Sequence, residues 1–249
     1  MTDVTPVHLD AIRDLRDAYR REMNCQIVHD SWHARGFTDS YLLRVDGQIA
    51  GYGSVGGAPR EPKDIIKEFF VVPEHRGAAL PLCRGLIAVS GAKRVEAQTN
   101  DVLLSLMLYD CATDLTSVTI LFADAMTTNL PCPPGVTLRP VTDADRASVF
   151  THTGEPVGDW GLECDGELAA TGGLLFHYNP PYGDIYMEVA AAYRRRGFGA
   201  YLVQELKRIC YEMARIPSAR CGQGNVASRH TLQRAGMFLC ARIVRGQLL

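Results

Sequence analysis

The sequence has no run of about 18 consecutive apolar residues, the minimum for a membrane-crossing helix, so helical membrane proteins are excluded as a class. Its first ten residues, MTDVTPVHLD, lack the basic start and apolar core of a secretory signal, and the cytoplasm is the expected compartment. An excess of charge of one sign is missing too. A net charge of -2 argues against a general binder of nucleic acid or of anionic membrane. The eight cysteines are scattered, with no C-x-x-C pair and no Cys/His grouping, which predicts reduced thiols and no metal. No G-K-[S/T] follows a glycine loop, and no G-x-G-x-x-G opens a first βαβ unit, so P-loop and dinucleotide folds are poor fits.

What the chain does have is the stretch Met187-Glu188-Val189-Ala190-Ala191-Ala192-Tyr193-Arg194-Arg195-Arg196-Gly197-Phe198-Gly199-Ala200-Tyr201. A short apolar strand enters a basic turn with two glycines. The turn opens into a helix whose apolar stripe, Leu202, Val203, Leu206, Ile209, Cys210 and Met213, recurs at helical spacing. Such a junction gathers unsatisfied backbone N–H groups, a positive helix end and three guanidinium groups in one volume. A phosphorylated ligand suits it.

The chain also echoes itself. Val45-Asp46-Gly47-Gln48-Ile49-Ala50 resembles Cys164-Asp165-Gly166-Glu167-Leu168-Ala169, and in each Asp-Gly predicts a tight hairpin turn. Glu68 through Gly77 aligns by letter with Glu188 through Gly197, and Thr99-Asn100-Asp101 with Gly224-Asn225-Val226. Three echoes in one order predict two related modules, residues 1–126 and 136–249. The Pro-rich segment 127–135 is the expected linker. The first module opens with helical spacing at Ile12, Leu15, Tyr19 and Met23; the second opens with a strand at 136–139 and a shorter helix over 142–150. Strands and helices alternate thereafter, which predicts an α/β fold in which each module carries a mixed sheet flanked by helices.

These residues resemble the GCN5-related N-acetyltransferase (GNAT) superfamily. Its signature, Arg or Gln, two residues, Gly, one residue, then Gly or Ala, is met by Arg194, Gly197 and Gly199. Asn225, Ser228, Gly236 and Met237 resemble its second block. The likeness covers most of 136–249 and weakly 40–110. It implies acetyl-CoA as co-substrate, with the amides of Arg195, Arg196, Gly197, Phe198, Gly199 and Ala200 on the diphosphate. Arg194 completes the signature, the strand containing Met187 and Val189 meets the pantetheine arm, and Asn225 and Ser228 face the same ligand. In the first module Glu74 is aligned with Arg194, and Ala78 and Ala79 replace the last glycine, so that half is expected to be degenerate.

Acyl transfer to an amine needs a base, because an alkyl ammonium has no free lone pair. Strand alternation puts Asp184, Tyr186 and Glu188 on one face and Ile185, Met187 and Val189 on the other. Glu188 is the first candidate base and Asp184 the second, although Glu68 and Asp64 in the first half suggest that both carboxylates are structural. The family's usual acid, a Tyr seven residues after the Asn, is replaced by Leu232, leaving Tyr186, Tyr182 or His230 as substitutes. The loop from His177 to Gly183 is expected to wall an acidic acceptor pocket for a small-molecule amine. A homodimer is compatible with the sequence. The competing reading is a non-catalytic acyl-CoA-binding sensor.

Overall fold

The computed structural model describes residues 1–24, 27–148 and 157–249. Cys25, and Val149 and Phe150 of the expected second-module helix, lie outside the described residues. The contacts divide the chain into two units, Met1–Thr119 with Ala241–Leu249, and Ile120–Cys240.

The first unit runs β1 (Thr2–Val7), a short 3-10 turn at Leu9–Ile12, α1 (Arg13–Glu22), α2 (Asp30–Ala34), β2 (Thr38–Val45), β3 (Gln48–Gly56) and β4 (Ile65–Val71). It continues through α3 (Ala79–Ser90), β5 (Arg94–Gln98), α4 (Val102–Cys111) and the start of β6 (Ala112–Asp124). Neighbours from β1 to β4 are antiparallel, and β4 and β5 are parallel. Asp46 and Gly47 hold φ of 50° and 80°, the double left-handed turn that Asp-Gly favours between strands.

The second unit takes up the rest of β6 and continues through β7 (Val136–Pro140), α5 (Asp143–Ser148), β8 (Trp160–Cys164), β9 (Glu167–Leu175) and β10 (Tyr182–Val189). Then come α6 (Phe198–Glu212), β11 (Ile216–Gly222), α7 (Val226–Arg234) and the start of β12 (Met237–Leu248). β7 to β10 are antiparallel in sequence order, and β10 and β11 are parallel. Asp165 and Gly166 repeat the hairpin geometry at 53° and 80°. Leu202, Val203 and Leu206 of α6 are fully buried against Ala170, Ile185 and Ala219 of the sheet. Each large apolar side chain so covered contributes about 2 kcal/mol.

The units do not end where the composition suggested. The segment 127–135 carries no helix or strand, but it lies inside the second unit. The last nine residues belong to the first, because Ile243–Gln247 of β12 pairs antiparallel with β5, Ile243 opposite Gln98 and Gln247 opposite Arg94. A strand's alternation states that it needs a partner, not which one.

One buried cation fixes α7 on α6. Lys207 is 2% exposed; its Nζ sits 2.7 Å from Asp124 Oδ1 and donates to the carbonyls of Met126 at 2.6 Å and Ala235 at 2.9 Å. Two carbonyls and a carboxylate thus surround the ammonium, the company that a buried charge requires. Among the described residues no disulfide forms, and no helix is long and apolar enough to cross a membrane.

Candidate functional site

In the second unit β10 and β11 pair only from Tyr182 opposite Ile216 to Ile185 opposite Ala219. Beyond that rung β10 continues to Val189 and β11 to Gly222, no longer hydrogen-bonded to each other. The divergence opens a cleft of about 870 Å³, closed on its other sides by the turn into α6 and by α7.

The turn is shaped for an anion. Gly197 is the N-cap of α6 with φ of 91°, a conformation costly for any residue with a Cβ. No side chain caps this helix, and its first turn holds no acid. The first-turn N–H groups, which have no intrahelical acceptor, therefore face the cleft unanswered. A Cβ at Gly197 would meet no protein atom within 4 Å, so what a side chain costs here is the left-handed backbone and not a clash. By contrast α7 is capped internally, the Ser228 N–H donating to Asn225 Oδ1 at 3.0 Å.

The floor is apolar. A Cβ at Gly199 would lie 3.1 Å from Thr231 Cγ2, 3.2 Å from Met187 Cε and 3.4 Å from Val189 Cγ2, so this glycine lets α7 close on the strand. Met187 and Val189 pack on the core side with Ile185, as the alternation predicted. Tyr186 and Glu188 also line the cleft, Tyr186 lying over Gly173 of β9, where a Cβ would come within 2.8 Å of its hydroxyl.

Of the residues expected from sequence, Tyr186, Met187, Glu188, Val189, Arg194, Arg195, Gly197, Phe198, Gly199, Ala200, Asn225 and Ser228 all border this cleft. Arg196 does not. Its guanidinium stacks 5.3 Å from the rings of both Tyr193 and Phe198. Arg194 does border it, but its Nε donates to the Val189 carbonyl at 3.0 Å, bracing the turn on the strand end.

Asp184 is displaced from the role of second base. It is 2% exposed at the last rungs before the strands part, with Oδ2 2.7 Å from His177 Nε2 and 3.3 Å from Arg220 Nε. Two cationic or basic side chains hold that carboxylate. The loop expected to wall the acceptor pocket does not border the cleft: Tyr178 and Asn179 are buried, the Tyr178 hydroxyl donating to the Ala219 carbonyl at 3.1 Å, while Pro180 and Pro181 are exposed elsewhere. Among the described residues Glu188 is thus the one carboxylate bordering the cleft. Leu232, in the place of the family's acid, is buried in the core, whereas His230 and Thr231 face the cleft. Helical phase separates these neighbours by about 100° each, which a search at one fixed offset misses.

The first unit repeats the design and fills it. Arg76 Nε donates to the Val71 carbonyl at 3.2 Å, as Arg194 does to Val189, and Val72 N–H bonds Ala50 as Ala190 N–H bonds Ala169. The structural offset is therefore 118 (76 to 194, 71 to 189), and the alignment by letter was slipped by two residues. Arg76, not Glu74, stands at Arg194. Ala79, with φ of -59°, stands at Gly197, and Pro81, without an N–H, at Gly199. Likewise Asp101, not Asn100, caps its helix, accepting the Leu104 N–H at 3.0 Å.

The matching divergence, where β4 and β5 pair only at Ile65–Ile66 with Arg94–Val95, retains about 120 Å³. Tyr19 from α1 occupies it, 4% exposed, its hydroxyl donating to Asp101 Oδ2 at 3.0 Å. Glu68, at the place of Tyr186, is 1% exposed and receives Arg16 through Nε and Nη2 at 3.0 Å each, with Tyr52 at 3.1 Å and His33 at 3.2 Å.

Burial pushes the Asp101 carboxyl up to about 7. Stability from this group is full below its unfolded value of about 4 and declines as pH rises to about 7. Asn caps a helix as well as Asp does: its Oδ1 accepts the Leu104 N–H, and its Nδ2 donates to the Tyr19 hydroxyl oxygen, which accepts in place of donating. Asp101→Asn is therefore expected to raise the Tm above that of the parent at pH 8 and to leave it unchanged at pH 4. A pH-independent difference in thermal melts contradicts this.

Residues 123–237 match the family model described as acetyltransferase (GNAT) family. No curated protein sequence is similar enough to match. Among solved structures, a GNAT-family acetyltransferase from Colwellia psychrerythraea shares 15% identity and a TM-score of 0.80, over 99% of this chain and 100% of that one. A tandem GNAT protein from the clavulanic acid biosynthesis pathway shares 11% identity and a TM-score of 0.58, over 99% and 98%. A GCN5-related N-acetyltransferase from Sphaerobacter thermophilus shares 17% and 0.56, over 84% and 80%. Residues 123–237 are thus similar to the GNAT acetyltransferase family, and the chain shares its fold, over nearly its whole length, with a tandem GNAT protein.

Proposed function

We propose that this protein is an acetyl-CoA-dependent N-acetyltransferase acting on the amine of a small molecule, with the second unit active and the first structural. The observation that carries this reading is the uncapped N-terminus of α6 at Gly197, opening on the cleft left by the parting of β10 and β11. The first-turn amides of α6 hold the diphosphate of the substrate acetyl-CoA. Its acylated arm lies along Val189 and Met187, where β10 has backbone groups that β11 no longer takes up.

Glu188 accepts the proton of the incoming amine, whose lone pair then attacks the thioester carbonyl. Collapse of the adduct expels the thiol of CoA. A thiol's ordinary pKa of about 8.5 permits departure as thiolate, so Leu232 in the place of the usual acid does not prevent turnover.

The test is thiol release from acetyl-CoA across a panel of amines, amino acids, aminoglycosides and peptides. Glu188→Gln is expected to lower kcat by roughly 10²- to 10⁴-fold, the usual contribution of a general base, without weakening acetyl-CoA binding. Unchanged turnover at every pH removes Glu188 from the mechanism. A second reading, a non-catalytic acyl-CoA sensor, is favoured by the burial of Leu232. Tight acetyl-CoA binding with no thiol release in any amine selects it.

A further inference from the structure

The cleft is electrically lopsided. Among the described residues four cationic or basic side chains border it: Arg194, Arg195, His230 and Arg234. Arg194 is engaged with the Val189 carbonyl. The other three are exposed, and among the described residues none of them is paired with a carboxylate. Arg195 leaves the turn from a left-handed φ of 63°. His230 and Arg234 are four apart on the nine-residue α7 and so share one face, the face that meets the cleft. Glu188, the bordering carboxylate, is half-buried on the strand, whereas the two guanidinium groups and the imidazole stand at the solvent side.

The N-terminus of α6 answers one anionic group through its backbone. It offers amides to a diphosphate diester, whose charge is singly negative at each phosphorus. The α7 wall offers different chemistry, side-chain forks and rings able to surround a dianion, and a guanidinium is the group best matched to a terminal phosphate. A ligand that uses both carries a diphosphate and, apart from it, a phosphate monoester. Resting on the acetyl-CoA reading above, we propose that Arg234, with His230 and Arg195, forms a second phosphate subsite that takes the ribose 3′-phosphate of CoA. The subsite selects acetyl-CoA over acetyl-dephospho-CoA.

Titration calorimetry with acetyl-CoA and with acetyl-dephospho-CoA, at low and at high salt, tests it. The unaltered protein is expected to bind acetyl-CoA at least about tenfold tighter, with the ratio shrinking as salt screens the exposed cations. His230→Gln with Arg234→Gln brings the ratio close to one by weakening acetyl-CoA alone. Equal affinity of the unaltered protein for the two ligands overturns the subsite, as does a ratio that survives the double substitution. Binding of neither ligand to the unaltered protein overturns the acyl-CoA reading and the subsite with it.

Discussion

Replacing Gly197 by valine is expected to abolish binding of acetyl-CoA while leaving the protein folded. The position holds φ of 91°, where a β-branched residue is most strained, at about 1–3 kcal/mol for holding such a conformation. That cost is small enough for the second unit to survive, since a Cβ there meets no protein atom within 4 Å. The same strain is what damages the site. A valine drives the turn out of its left-handed conformation, and the first-turn amides of α6 turn away with it, which removes the anion cradle. The check is the Tm shift on adding acetyl-CoA, which the variant is expected to lose together with thiol release. A variant that keeps the shift shows that the ligand does not rest on this turn. Gly197→Ala has the same sign and a smaller effect, because alanine enters the left-handed region at lower cost.

Arg16→Met is expected to destabilise the first unit by about 3–5 kcal/mol, the usual penalty for stripping a buried carboxylate of its partner. Glu68 lies at 1% exposure on the unit's central strand, and the Arg16 guanidinium grips it with two bonds from α1. Burial alone would raise the Glu68 pKa. Hydrogen bonds from His29 and His33 and the charge of Arg16 outweigh it and hold the carboxyl well below the usual range. A depressed folded pKa contributes stability above the unfolded value, and that contribution is lost as pH falls through the folded one. Arg16→Met is accordingly expected to erase part of the acid-side slope of stability. Adding Glu68→Gln to it restores much of the loss, because the remaining side chain is neutral. Denaturant melts of the single and double variants at pH 7 and pH 5 measure both effects. Equal destabilisation in single and double variants contradicts the ion-pair account.

The legible and illegible parts of this chain differ in range. Asp46-Gly47 and Asp165-Gly166 announced their hairpins because a left-handed pair of φ values is a demand that those residues meet alone. The strand, basic turn and helix from Met187 to Tyr201 were legible for a similar reason, since a glycine, a helix start and an apolar stripe are local. The registry of the repeat was not. Matching the letters of Glu68 with Glu188 and of Gly77 with Gly197 produced an alignment two residues from the true one. The bonds of Arg76 to Val71 and Arg194 to Val189 set the correct offset, at which only Val71 with Val189 and Arg76 with Arg194 share a letter across Glu68–Gly77, against three pairs at the false one. Asp184 looked like a base because its strand face is right. Its partner Arg220 lies 36 positions onward, on a strand that must first pair in parallel.

Short-range chemistry was therefore sufficient for the turns, for the amphipathic helices and for the glycine-bearing cradle, where each preference belongs to a residue and its near neighbours. Four matters rested instead on side chains and strands brought together from afar. These were which carboxylate meets the cleft, that Tyr19 and Arg16 fill the first unit's own divergence, that Leu232 turns inward, and that the last nine residues join the first unit. Burial and pairing are properties of the assembled neighbourhood, and a buried charge takes its behaviour from the partner that folding places beside it.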